Sequence, residues 1–341
     1  MWLILPIVLT ALFIITLMII KLPQWGRLPL GELKNKVLQS SQYNGKEFQN
    51  ISDTPNFADG YSMSKVMKDF MFKRVHHKKP KHTIHTLISK FNTRYEAPHI
   101  TWFGHSSYLL QVNKLNILVD PVFSRFASPL PFGAKAFKHS YTYTAHNMPV
   151  IDILVITHDH YDHLDYKTVK KLIPKVKNVV TSVGVKAHLV RWGFDSQTIQ
   201  ELDWWEESKD LPLKLTATPS RHFSGRGLKR NMSLWSSFVL ESNSYTIYLG
   251  GDSGYDEHFK QIGEKWKKFD LAILENGQYN EAWHYIHMLP NETVQAAKDL
   301  NAQVLMPVHW GKFALAMHPW NESIRYLLKV ADKESMDVLS P

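Results

Sequence analysis

The nine residues THDHYDHLD, Thr157 to Asp165, directly follow the apolar run IDILVI, and no other stretch limits the fold so tightly. The run is short and rich in β-branched residues, as a buried strand is. Three histidines and three aspartates then follow within nine positions. The chain has no cysteine, so a transition-metal site must be built from His, Asp or Glu. Imidazole nitrogens and carboxylate oxygens suit zinc and related divalent ions. His158 and His160 are two apart, and Asp162 and His163 come next. On an irregular loop, alternate residues can turn toward one centre and the next pair toward a second. Four potential ligands exceed the three that one open catalytic zinc takes, which points to two metals.

Two metals need more ligands, and these belong at the ends of other strands along the same sheet edge. Three residues qualify. His222 follows LKLTATPSR, Asp252 follows YTIYLGG and His309 follows VLMPV. Singly, each would more often be structural; together they complete two sites. The glycines before Asp252 let the backbone crowd a site.

The remaining texture sets the fold class. From His99 onward, short β-rich runs arrive first in hairpin style and then alternate with helical patterns. That order predicts mixed sheets covered by helices, a layered α/β domain over residues 98–335. No Walker-type or GxGxxG loop occurs, so a nucleotide cofactor is not expected. Trp2 to Ile20 carries no charged residue and is expected to form a transmembrane helix, giving residues 1–22 as an anchor. Lys21, Arg27, Lys34 and Lys36 follow it, which would place the catalytic domain on the cytoplasmic side. An exported arrangement with a signal peptide is the alternative. Residues 23–97 are polar, basic and weakly periodic, and read as a linker and basic extension with a short helix near Met63 to Phe72. The net charge of +9 suits an anionic surface. Its densest basic stretch, Phe72 to His82, reads equally as a solvated face. Nucleic-acid-binding motifs are absent, so nucleic acid is not an expected partner.

TWFGHSSYLL, NILVDPVFSRFASP, THDHYDHLD, ELDWWEE, YLGGDSGYDEHF, FDLAILENGQY and MPVHWGKFAL run in order from about residue 98 to 320. With its HxHxDH signature, this series resembles the metallo-β-lactamase superfamily. More narrowly, it is similar to the group of phospholipases D that hydrolyse N-acyl-phosphatidylethanolamine. The resemblance implies an αββα sandwich and two Zn2+ ions, other divalent metals being an alternative. His158, His160 and His222 would hold one ion, and Asp162, His163 and His309 the other, with Asp252 bridging both. Asp120 matches an aspartate behind the metals, where it would fix imidazole tautomers. His287 matches a histidine beside the reacting phosphate. His105 matches a motif position too, and reads as a structural hydrogen bond.

The activity so implied is a zinc-dependent phosphodiesterase of phospholipase D type. A metal-bridging hydroxide would attack phosphorus, releasing phosphatidic acid and an N-acylethanolamine from a phospholipid substrate. The alternatives are a lactonase of the ascorbate-6-phosphate type, or another small-molecule hydrolase with a narrow polar pocket. A non-enzymatic membrane scaffold ranks last. Asp159 and Asp165 fall outside the ligand set and read as loop and helix-capping residues.

Overall fold

The computed structural model describes residues 4–140 and 142–340. Twelve strands form two six-stranded sheets among the described residues. The first sheet contains β1 (His99–Trp102), β2 (Tyr108–Val112), β3 (Leu115–Val119), β4 (Ile151–Ile156), β5 (Val176–Ser182) and β6 (Ile199–Leu202), in that spatial order. The second contains β7 (Lys214–Thr218), β8 (Ser237–Glu241), β9 (Thr246–Leu249), β10 (Leu271–Glu275), β11 (Val304–Val308) and β12 (Asp337–Val338), again in sequence order. Each sheet starts antiparallel and turns parallel at its third strand. Parallel neighbours point their C-terminal ends the same way, so one edge of each sheet collects several strand ends.

Side-chain alternation sorts the apolar residues into layers. Leu110, Ile117, Val119, Ile153 and Val155 of the first sheet meet Leu215, Phe238, Leu249, Ile273 and Val308 of the second in one fully buried cluster. Leu109, Leu118, Leu154 and Ile156 alternate with them and face outward. They pack against α4 (Tyr166–Leu172) and α5 (Lys186–Trp192) through Val169, Leu172, Leu189 and Trp192. Val239, Tyr248, Ala272 and Leu305 meet Phe259, Val294 and Leu327 in the same way. Those three come from α6 (His258–Trp266), α7 (Pro290–Asp299) and α8 (Glu322–Lys333). The result is helix, sheet, sheet, helix, the layering expected from the sequence.

The N-terminal part corrects one expectation. No helix among the described residues is long and apolar enough to cross a membrane. The apolar run forms α1 (Ile4–Ile20), of 17 residues; Trp2 and Leu3 lie outside the described residues. At about 1.5 Å per residue α1 is roughly 26 Å long, short of the ~30 Å hydrocarbon core. A cause lies at its C-terminal end. Pro23 has no N–H to give the Ile19 carbonyl and opens a 3-10 turn, and that carbonyl accepts instead from Leu22 N at 3.1 Å and from the Trp25 indole at 2.6 Å. The transmembrane anchor is therefore not supported, and the inference that it sets a membrane side for the catalytic domain goes with it.

The segment that follows lies on the domain. Val37 of α2 (Glu32–Gln39) and Phe48 beyond it join Val183, Trp204 and Trp235 in a buried cluster. α3 (Met63–Phe72) starts at Ser62, whose hydroxyl accepts from Lys65 N.

Candidate metal centre

Each of the seven proposed ligands follows the end of a strand in the loop toward the next element. The loop after β4 carries His158, His160, Asp162 and His163; His222 follows β7, Asp252 follows β9 and His309 follows β11. The two sheets bring these loops to one place. Close backbone approach explains the glycines around Asp252. A Cβ on Gly251 would stand 2.6 Å from the Ser236 carbonyl oxygen, and one on Gly254 would stand 2.0 Å from that of Tyr285. Only glycine lets these chains pass.

His158 Nε2 lies 2.9 Å from His160 Nδ1, and His222 Nε2 lies 3.2 Å from that same atom. The far side of each outer ring fixes its tautomer. His222 Nδ1 donates to the Ile286 carbonyl at 3.0 Å. His158 Nδ1 meets Thr157 Oγ1 at 3.0 Å, and that hydroxyl gives its own proton to Asp120 Oδ2 at 2.6 Å. Both rings therefore turn a bare Nε2 lone pair toward His160. Burial, joined by the surrounding histidines, holds His158 well below the ordinary imidazole pKa. Burial does the same for His222, and it lowers His160 as well. Two of the three converging nitrogens offer lone pairs, and one proton on His160 Nδ1, or a cation in its place, answers them. This donor set fits a divalent ion bound without thiolates.

Asp162, His163 and His309, with His105, offer ligand atoms within 4.8 Å of one another. His163 Nδ1 donates to Asp120 Oδ2 at 2.8 Å, which turns Nε2 toward Asp252 Oδ2 at 3.1 Å and Asp162 Oδ2 at 3.8 Å. Burial opposes a charged His163, but Asp252, Asp162 and Asp120 outweigh it and hold its pKa well above the ordinary value. Burial likewise opposes the Asp252 carboxylate, yet His163 and His309 hold it well below the usual range. The pocket calls for positive charge at this point, and a bound cation meets that call by displacing the proton. Asp252 Oδ1 is buried with no hydrogen-bond partner. Asp252 lies between the two groups, 3.2 Å from His309 Nδ1 and 3.8 Å from His222 Nε2.

Asp120 sits behind both groups. It takes the Thr157 amide on Oδ1 and the Thr157 hydroxyl and His163 Nδ1 on Oδ2. His105 donates from Nε2 to Asp162 Oδ2 at 2.8 Å. Its backbone is bound both ways to the β11 loop, through Trp310 O and His309 N. His105, Asp120 and His309 all adopt positive φ, at 57°, 40° and 68°. Non-glycine residues avoid that region, and clusters of such strain accompany functional sites. Asp165 caps α4 by accepting from Lys167 N. Asp159 turns away from the metal groups and accepts from Gly225 N at 2.7 Å.

His287 borders the cluster, its ring 5.1 Å from that of His222 and 5.2 Å from that of His309. A groove of about 320 Å3 opens beside it, floored by His160, Asp162, His222, Asp252, His287 and His309. Its walls are mostly apolar: Phe57, Met63, Phe70, Phe223, Trp283 and Leu315. Three of these come from the segment the sequence presented as linker and extension. From that segment too, Asn50 clamps His222, donating to its carbonyl at 2.8 Å and accepting from its amide at 3.0 Å. No sequence pattern pointed to Asn50. Glu275, a buried carboxylate 3.6 Å from His287 Nδ1, was also passed over. It closes the apolar run LAILE as polar residues close the other site-bearing runs, which was a usable signal.

Residues 115–310 match the beta-lactamase superfamily domain. The chain belongs to this superfamily. It is 30% identical over 318 residues to N-acyl-phosphatidylethanolamine-hydrolysing phospholipase D 1 of Caenorhabditis elegans, covering 86% of this chain and 87% of that one. It is 42% identical over 246 residues to an uncharacterised protein of Mycobacterium tuberculosis, a match that spans 71% of this chain and 66% of the mycobacterial one. A putative metal-dependent hydrolase from Parabacteroides distasonis shares the fold, with a TM-score of 0.52 at 20% identity, over 71% of this chain and 92% of that one.

Proposed function

We propose that this protein is a metal-dependent hydrolase that cleaves the phosphodiester of N-acyl-phosphatidylethanolamine-like phospholipids, in phospholipase D manner, with two zinc ions in the site. The observation that carries this reading is the apolar groove ending on the His and Asp cluster, in a chain related to such a phospholipase along most of its length. A phosphodiester lying on the cluster would leave its alkyl and acyl parts against Phe57, Met63, Phe70 and Leu315. A narrow polar pocket, as a sugar lactonase would want, is a poor description of these walls.

The roles follow from position. His158, His160 and His222 would hold one ion, and Asp162, His163 and His309 the second, with Asp252 shared. Such ions, when bound, acidify a water and neutralise charge on phosphoryl oxygens. Asp120 fixes the His163 tautomer directly and that of His158 through Thr157, keeping their Nε2 atoms free for ligation. His105 keeps Asp162 in place. His287, when protonated on both nitrogens, stands where its Nε2–H can pass a proton to the departing alkoxide. Glycines 251 and 254 keep the Asp252 loop close to its neighbours.

The test is a lipid screen with zinc-loaded protein and mass spectrometry of both products. Phosphatidic acid and N-acylethanolamine should appear together and vanish on chelation. Intact lipid alongside opened sugar lactones would overturn the substrate assignment.

A further inference from the structure

β10 ends on a carboxylate that no role above uses. Glu275 is 1% exposed, and burial pushes its carboxyl up to about 7, against the pull of His287. Oε1 accepts from the Met288 amide at 2.6 Å, and Oε2 accepts from the Gly277 amide at 3.4 Å. A glutamine would keep an acceptor for the Met288 amide, the shorter of the two bonds, and give up only the long contact from Gly277. Burying a negative charge is costly unless a partner answers it. The partner here is His287, whose Nδ1 lies 3.6 Å from Oε2 and has no hydrogen bond elsewhere. The His287 ring stands between Glu275 and the cluster, with a ring nitrogen within 4.8 Å of ligand atoms of His222 and Asp252.

We propose that Glu275 is a positioning residue for His287. By accepting a hydrogen bond from Nδ1–H it sets the tautomer and ring angle that present Nε2 to the substrate. The same logic holds a catalytic imidazole in place wherever a buried carboxylate backs it. The 3.6 Å gap exceeds a formed hydrogen bond, and such contacts tighten when a ligand engages the other nitrogen. The Met288 amide bond adds a second restraint, since it fixes the chain one residue beyond His287.

This inference rests on the placement of His287 beside the reacting group, so its test has one arm that needs no substrate. In metal-loaded protein with 15N-labelled histidine, NMR should find His287 as the Nδ1–H tautomer and show that preference weakened in Glu275→Gln. A neutral wild-type His287 carrying its only proton on Nε2 would overturn the proposal, whatever the substrate proves to be. The second arm is a kinetic cycle on N-acyl-phosphatidylethanolamine vesicles. Glu275→Gln should lower kcat about 10- to 100-fold, with KM and bound metal within about twofold of wild type. In a His287→Ala background the same change should cost nothing further. Additive losses, or loss of metal in Glu275→Gln, would mark Glu275 as structural or as a ligand and overturn the proposal. If wild-type protein leaves the vesicles intact, the substrate assignment fails while the NMR arm still decides the pair.

Discussion

Residues 157–165 and residues 50–72 both border the groove, yet they are built on opposite terms. The first is buried, polar and fixed at many points. The Arg226 guanidinium donates to the carbonyls of Asp159 and Leu164, and Asp165 accepts from Ser124 N and the Thr168 hydroxyl. The second is loosely held and apolar toward its surroundings. α3 leaves Met63, Met67, Phe70 and Met71 about half or more exposed, and the stretch before it is tied to the 280s loop by Ala58 N to Ala282 O and by Tyr61 to Glu281. The difference teaches where each task resides. Strand ends fix the charges through many hydrogen bonds, while unbranched methionines on the rim can repack against different shapes. Asn50 joins the two regimes, since it belongs to the N-terminal segment and holds His222.

Breaking the first region should cost most. Asp252→Ala removes the carboxylate that lies between the two His and Asp groups and is proposed to serve both ions. Loss of several kcal/mol of transition-state stabilisation means a fall on the order of 10³-fold in kcat, with less metal by elemental analysis. Full activity with full metal content would contradict the shared role.

The joint should come next. Asn50→Ala leaves the His222 amide without its acceptor, while the Trp235 indole keeps its bond to the Ser220 carbonyl. An unmet buried donor costs about 1–3 kcal/mol, so the melting temperature should drop and zinc should be released more readily on titration with a chelator. An unchanged melt would show that the N-terminal segment merely leans on the domain.

The rim should matter least, and only to the substrate. Phe70 stacks on Trp283 with centroids 6.0 Å apart and rings 11° from parallel. Aromatic pairs of this kind contribute about 0.5–1.5 kcal/mol. Phe70→Ala should therefore raise KM for long-chain lipid roughly 2- to 10-fold, with metal content and short-chain turnover unchanged. Equal losses on both chain lengths would erase the contrast between rim and metal wall.

The same contrast explains what could be read from the sequence. The polar loop after β4 stood out because its candidate ligands lie within six positions behind one buried strand. His222, Asp252 and His309 were legible because each closes an apolar run. The rim was not, because Asn50 reaches His222 across 172 positions and leaves no periodic trace. α3 was visible as a helix, but nothing local said that it would border the groove. The N-terminal run misled for a different reason. Counting apolar residues measured its composition, whereas the length of α1 reflects where Pro23 and Trp25 end it.

The central claim is that water is delivered to phosphorus at the His and Asp cluster. It is tested most directly by hydrolysing N-acyl-phosphatidylethanolamine in 18O-water with zinc-loaded protein. One 18O atom should appear in phosphatidic acid and none in the N-acylethanolamine. Label in the N-acylethanolamine would place the attack on carbon and contradict the account.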